Sequence, residues 1–141
     1  MVAGSCFCGK IRIQYNAPFV ASGLCHCTGC RKLTSAPFTY NFIVKPEELH
    51  VSGSPKEVPK IADSGNHIKN YFCPDCGTPL YGQKINSYGQ PDQITIVRAG
   101  IFDDERILNE QKPEVEIYTD RRSPWISPVE GAAQCSGMLP P

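Results

Sequence analysis

Apolar and polar residues alternate in short runs along most of the chain. Ile11, Ile13 and Tyr15 are interleaved with Arg12 and Gln14, the period of two expected of a strand with one buried face. Phe38–Val44 is rich in aromatic and β-branched residues and stops at Lys45-Pro46, and His50–Ser52 runs into Gly53-Ser54-Pro55. Glu57–Ala62 and Ile68–Phe72 flank Asp63-Ser64-Gly65-Asn66, a turn sequence, and so predict a hairpin. Leu80–Lys84, Ile94–Ala99 and Val115–Tyr118 continue the series. Strands recurring about every ten residues, with turn residues between them, predict an all-β fold. The helix expected is a short turn over Thr28–Thr34, and residues 45–49 read as one further helical turn. Residues 121–141 read as an irregular, Gly- and Pro-rich tail that holds the single tryptophan, Trp125.

Length and composition narrow this further. The chain has 141 residues, the size of one domain, and no repeat or linker divides it, so a single domain over 1–141 is expected. Thirteen prolines and twelve glycines interrupt the chain too often for a helix bundle. Fourteen basic and fourteen acidic residues cancel. A neutral chain without a basic run is a poor phosphate-backbone binder, so no nucleic-acid partner is expected. No run approaches the roughly 20 apolar residues of a membrane span. The start MVAGSCFCGK lacks a basic-then-apolar leader. The expected location is therefore the cytoplasm, with no membrane partner.

Eight cysteines in such a chain point to metal binding or catalysis rather than disulfides, because cytoplasmic thiols stay reduced. Seven fall in three clusters: Cys6-x-Cys8-Gly9, Cys25-His26-Cys27-x-x-Cys30 and Cys73-Pro74-Asp75-Cys76-Gly77. Cys73 and Cys76 have the spacing of a zinc knuckle, which supplies two of the four ligands a structural zinc takes. Cys6 and Cys8, at the end of a strand, supply the other two. Such a site would tie the N-terminal strand to mid-chain and add folding free energy to a modest core. Cys25, Cys27 and Cys30 remain as a triplet. Three ligands and a vacancy is the pattern of a catalytic zinc. A closed site completed by His26 or a distant group, a redox pair of Cys27 and Cys30, and idle thiols are the alternatives. His26 lies between two ligands, so in an extended segment its ring points to the opposite face. Cys135 has no near partner in sequence and reads as a free thiol, and His50 and His67 read as ordinary strand side chains.

The three cysteine motifs, in this order, resemble the glutathione-dependent formaldehyde-activating enzyme family, whose domain also occurs in a vertebrate centromere protein. The resemblance rests on C-x-C-G at Cys6–Gly9, C-H-C-x-x-C-R at Cys25–Arg31 and F-C-x-x-C-G at Phe72–Gly77. Softer support comes from Ala99–Asp103 and from Pro113, Ile117, Tyr118 and Trp125, so the likeness spans about Cys6 to Gly137. It implies an Mss4-like β-tent of splayed antiparallel sheets with a zinc-ribbon site and one short helical turn. It implies a structural zinc on Cys6, Cys8, Cys73 and Cys76, and a catalytic zinc on Cys25, Cys27 and Cys30. The implied chemistry is that of a carbon–sulfur lyase acting on glutathione as co-substrate, such as formation of S-hydroxymethylglutathione from formaldehyde. Three positions depart from the family pattern: Ser35 stands where glycine is expected, Lys69-Asn70 where arginine is common, and Glu116 where histidine is frequent.

Three functions follow as expectations. The first is a zinc lyase or synthase joining glutathione to a small electrophile. The second is a glutathione-adduct lyase of specialised metabolism with a different acceptor. The third is a non-catalytic zinc-ribbon module that binds another protein. For the enzyme, Arg31 is expected to pair with a glutathione carboxylate, and Phe38 and Trp125 to line the pocket. The residues leave homo-oligomerisation open.

Overall fold

Every alternating run forms a strand. In the computed structural model, which describes residues 1–62 and 65–139, the elements in chain order are β1 (Val2–Ser5), β2 (Arg12–Tyr15), β3 (Ala21–Cys25), α1 (Thr28–Thr34), β4 (Thr39–Val44), β5 (Leu49–Ser52), β6 (Lys56–Ile61), β7 (His67–Phe72), β8 (Pro79–Ile85), β9 (Pro91–Arg98), α2 (Glu105–Glu110), β10 (Val115–Ile117) and β11 (Ala133–Gln134). Helix α1 has the predicted bounds, and the turn expected over 45–49 is a 3-10 turn at Pro46–Glu48. Asp63 and Ser64 of the predicted hairpin turn lie outside the described residues. The hairpin itself is set by the β6–β7 register, from Lys56 opposite Phe72 to Ile61 opposite His67.

The strands form two sheets. One has three antiparallel strands in the order β1-β2-β5, and the other has eight in the order β11-β10-β3-β4-β9-β8-β7-β6. The large sheet departs from the expected antiparallel pattern at one end, where β10 runs parallel to both β3 and β11. The core lies between the small sheet and the middle of the large one. Ile13 and Tyr15 of β2 meet Phe42 and Val44 of β4, Val97 of β9 and Leu80 of β8 there. Phe19 stacks on Phe42 at 4.0 Å between ring centroids.

Strand periodicity then gives the large sheet a second face. On β4, Phe42 and Val44 point into the core, so Asn41 points away from it. On β9, Thr95 and Val97 are fully buried on the core side, so Ile94, Ile96 and Arg98 share the opposite side. That opposite side carries the candidate site.

Four elements were not predicted. Gly4 and Gly23 interrupt the patterns of β1 and β3, and β11 is a two-residue strand within the stretch read as irregular. Both glycines are required by close approach. A side chain at Gly4 would overlap the Ile101 carbonyl, and one at Gly23 would come within 3.0 Å of Val115 on β10. Helix α2 has its own start signal, since the Asp104 carboxylate accepts the Arg106 N–H at 3.0 Å as an N-cap.

Candidate metal centres and the adjoining cavity

The two cysteine clusters are built differently. Cys6, Cys8, Cys73 and Cys76 have their sulfur atoms within 4.8 Å of one another. Two knuckles create this, and each closes on a glycine with positive φ: Gly9 at +81° and Gly77 at +79°. The Gly9 N–H bonds the Cys6 carbonyl at 3.1 Å and the Gly77 N–H the Cys73 carbonyl at 2.8 Å. Backbone N–H groups also point at sulfur, Ile11 to Cys6 at 3.3 Å and Cys76 to Cys73 at 3.5 Å. Such donors favour thiolate. The Thr78 hydroxyl, 3.2 Å from Sγ, and the Thr78 N–H bring the Cys76 thiol down to about 5.

The sulfur spacing fits a tetrahedral ion. Sγ of Cys8 lies 3.6 Å from that of Cys6 and 3.7 Å from that of Cys73. Four sulfurs each about 2.3 Å from one zinc would sit about 3.8 Å apart. A disulfide would need about 2.05 Å, and all eight cysteines are unpaired. The donor set and its geometry therefore suit zinc.

The triplet sits at the end of a strand and the start of a helix. Cys25 ends β3, opposite Thr39 of β4 and Ile117 of β10. Cys27 is the N-cap of α1 and accepts the Cys30 N–H at 3.3 Å. The three sulfurs also lie within 4.8 Å of one another. Cys25 is buried, whereas Cys27 and Cys30 are partly exposed. Bonds from Cys25 and Cys27 push the Cys30 thiol far down, helped by the Thr39 hydroxyl and the Arg98 charge, while the same bonds and burial push Cys25 far up.

His26 turns away from the sulfurs, as its position between two ligands requires. Its ring is fully buried, and Nε2 lies 2.8 Å from Oε1 of Glu116. The other Glu116 oxygen accepts the Val129 N–H at 2.8 Å and Gln134 Nε2 at 2.7 Å, with Arg122 at 3.3 Å. Burial by itself would raise the Glu116 carboxyl; these bonds from Gln134, Val129 and His26, with the Arg122 charge, outweigh it and hold the group below its ordinary value. The carboxylate can then only accept, so His26 Nε2 carries the hydrogen.

A cavity of about 370 Å³ opens beside the triplet. Cys25, Cys27 and Cys30 all border it, and none of the other five cysteines does. Its floor is the outward face of the large sheet, where β6, β7 and β9 present Val58, Ile68, Ile94 and Ile96. Helix α1 contributes Leu33 to its wall. Among the described residues, the charged ones that line it are Lys32, Lys60, Lys84 and Arg98, with no Asp or Glu. Arg98 donates to Asn41 Oδ1 at 2.6 Å and Asn70 Oδ1 at 3.3 Å, which fixes the guanidinium on the sheet face.

The residues expected to bind substrate are placed elsewhere. Arg31 is exposed on α1, and Trp125 is 76% exposed; neither borders this cavity. Phe38 lines a neighbouring hollow and tilts against His26 at 5.6 Å. The cations the cavity does contain were missed. Arg98 had a readable signal, because it falls in phase with Ile94 and Ile96 on one strand face.

Residues 1–121 match the family described as glutathione-dependent formaldehyde-activating enzyme. The chain belongs to this family. Two curated relatives named as candidate glutathione-dependent formaldehyde-activating enzymes, from Aspergillus flavus and Aspergillus oryzae, are each 29% identical over 80 residues. That stretch is 55% of this chain and 41% of each relative, so the match spans less than half of the relatives' length. A solved Rhodobacter sphaeroides protein has a similar fold, with a TM-score of 0.54 and 21% identity over 75% of this chain and 94% of that one. Two departures from the expected family pattern acquire a physical reading. Ser35 caps α1 in the left-handed conformation, φ 59°, where glycine is the unstrained residue. Glu116, in place of histidine, is the carboxylate that anchors His26.

Proposed function

We propose that this protein is a zinc-dependent carbon–sulfur lyase or synthase. It would join glutathione to a small electrophile such as formaldehyde, or reverse that reaction. The observation that carries this reading is the exposure of one thiol triplet, and not the four-thiol cluster, to a cavity whose charged lining among the described residues is all cationic. Family membership of residues 1–121 supports the same substrates.

In this reading Cys6, Cys8, Cys73 and Cys76 hold a structural zinc, and Cys25, Cys27 and Cys30 a catalytic one. When bound there, zinc supplies an open coordination position and lowers the pKa of an incoming thiol. The chain's own residues do the rest. Arg98 and Lys60 are assigned to the glutathione carboxylates, in preference to Arg31. Arg98 is pre-oriented by Asn41 and Asn70. Lys60 Nζ lies above Gly29, close enough that a side chain there would come within 3.0 Å of it. The His26–Glu116 bond holds the backbone between Cys25 and Cys27. In the synthetic direction the glutathione sulfur bonds to the carbonyl carbon, and the carbonyl π pair moves to oxygen. That oxygen takes up a proton equivalent to the one the thiol gives up. The unpaired cysteines support work in a reducing compartment such as the cytoplasm.

Calorimetric titration of glutathione into the zinc-loaded protein tests this. Saturable binding that is lost in Cys27→Ser and weakened about tenfold in Arg98→Ala is expected. No binding at about millimolar glutathione, where weak affinities of roughly −4 kcal/mol still register, would overturn it.

A further inference from the structure

The cavity beside the triplet has a wall that formaldehyde does not need. Val58, Ile68, Ile94 and Ile96 come from three strands, β6, β7 and β9, and all lie on the side of the sheet away from the core. The strand registers knit them together: Lys60 pairs with Ile68, Asn70 with Gly82, and Gly82 with Ile96. Gly82 keeps the middle of the floor low, since a side chain there would come within 2.9 Å of Asn70 Oδ1. Val58 on β6 and Ile94 on β9, three strands apart in the sheet, retain 37% and 40% of their surface within this one cavity lining.

Neither proposed co-substrate complements that wall. Glutathione is a polar tripeptide with two carboxylates, which the reading above assigns to Arg98 and Lys60. Formaldehyde has two heavy atoms and offers little apolar surface to bury. Burial is worth about 25 cal/mol per Å² of apolar area, so only a larger group would draw on this surface. The wall is continuous with the thiol triplet in one cavity, so a group attached to the glutathione sulfur is the occupant that reaches it.

We propose that the substrate class is glutathione S-conjugates whose sulfur substituent is bulky and apolar, of aryl or branched-alkyl size, with Val58, Ile68, Ile94 and Ile96 as specificity residues. This rests on the glutathione reading above. The probes are S-methylglutathione and S-(naphthylmethyl)glutathione, titrated into the zinc-loaded protein beside glutathione itself. The naphthylmethyl conjugate is expected to bind at least tenfold more tightly than the methyl conjugate. Ile96→Ser and Ile68→Ser should each cut that ratio severalfold, with circular dichroism reporting that each variant is folded. Equal or weaker binding of the naphthylmethyl conjugate, with glutathione still bound, would overturn the substrate class alone. An unchanged ratio in both folded variants would overturn the role of the wall. Failure of glutathione and both conjugates to bind would overturn the underlying reading as well.

Discussion

Two side chains carry unusual local energetics. Ser35 holds a left-handed backbone at the end of α1, which costs a non-glycine residue roughly 1–2 kcal/mol. Ser35→Gly should raise stability by about 0.5–1 kcal/mol after the entropy cost of glycine is counted, measured by urea unfolding. Glu116 is the second. Four groups converge on its carboxylate from three segments of chain. Glu116→Ala would leave His26 and Arg122 facing a void, and breaking such a buried cluster costs about 3–5 kcal/mol. Because the carboxyl lies below its ordinary value, its contribution is present at neutral pH and is lost as pH falls through the folded-state pKa. The position of Glu116 was readable in the sequence, but its partners were not. Val129 and Gln134 lie in a stretch with no periodicity, and only the fold brings them to β10.

Among the elements, those with an unbroken two-residue period were legible, and those that carry a packing glycine were not. Residues of β2, β4 and β9 alternate cleanly because one face meets the core. Strands β1 and β3 lose the pattern at Gly4 and Gly23, where a neighbouring backbone or side chain occupies the space of a Cβ. Gly4→Ala should therefore destabilise the protein by about 2–3 kcal/mol, as overpacking against an immobile carbonyl does, with the loss read as a lower urea midpoint. A neutral result there would mean that β1 can move away from Ile101. The metal ligands were legible for another reason. Knuckle spacing is local, so Cys73-x-x-Cys76-Gly77 declares its turn in five residues. The cavity is not local. Its cations come from α1, β6, β8 and β9, and no window along the chain contains them together. Sequence therefore suggested Arg31, next to the motif, whereas the sheet brings Arg98 to the cavity.

For the whole molecule, the two sheets share one core but are also linked at the four-thiol cluster. That cluster joins the turn between β1 and β2 to the turn between β7 and β8. Loss of a metal there should release one sheet from the other. The triplet lies at the end of β3 and the start of α1 and links no second sheet, so its metal should be dispensable for folding. Stability should also fall in alkali. Burial, with Tyr71 stacked at 4.5 Å and Glu57 nearby, pushes the Tyr81 phenol up to about 12. The unfolded phenol ionises first, near 10, so stability is full below that pH and declines as pH rises toward 12. Tyr81→Phe should flatten this part of the urea-midpoint profile.

The most direct test of the central claim is zinc content during graded chelation, with circular dichroism followed on the same sample. The account predicts two zinc ions per chain. A mild chelator should remove one while the β spectrum persists, and a strong chelator should remove the other as the spectrum collapses. Cys27→Ser should lack the first ion from the start and keep its fold. A single zinc per chain in the fully loaded protein, or two that leave together with the fold, would contradict it.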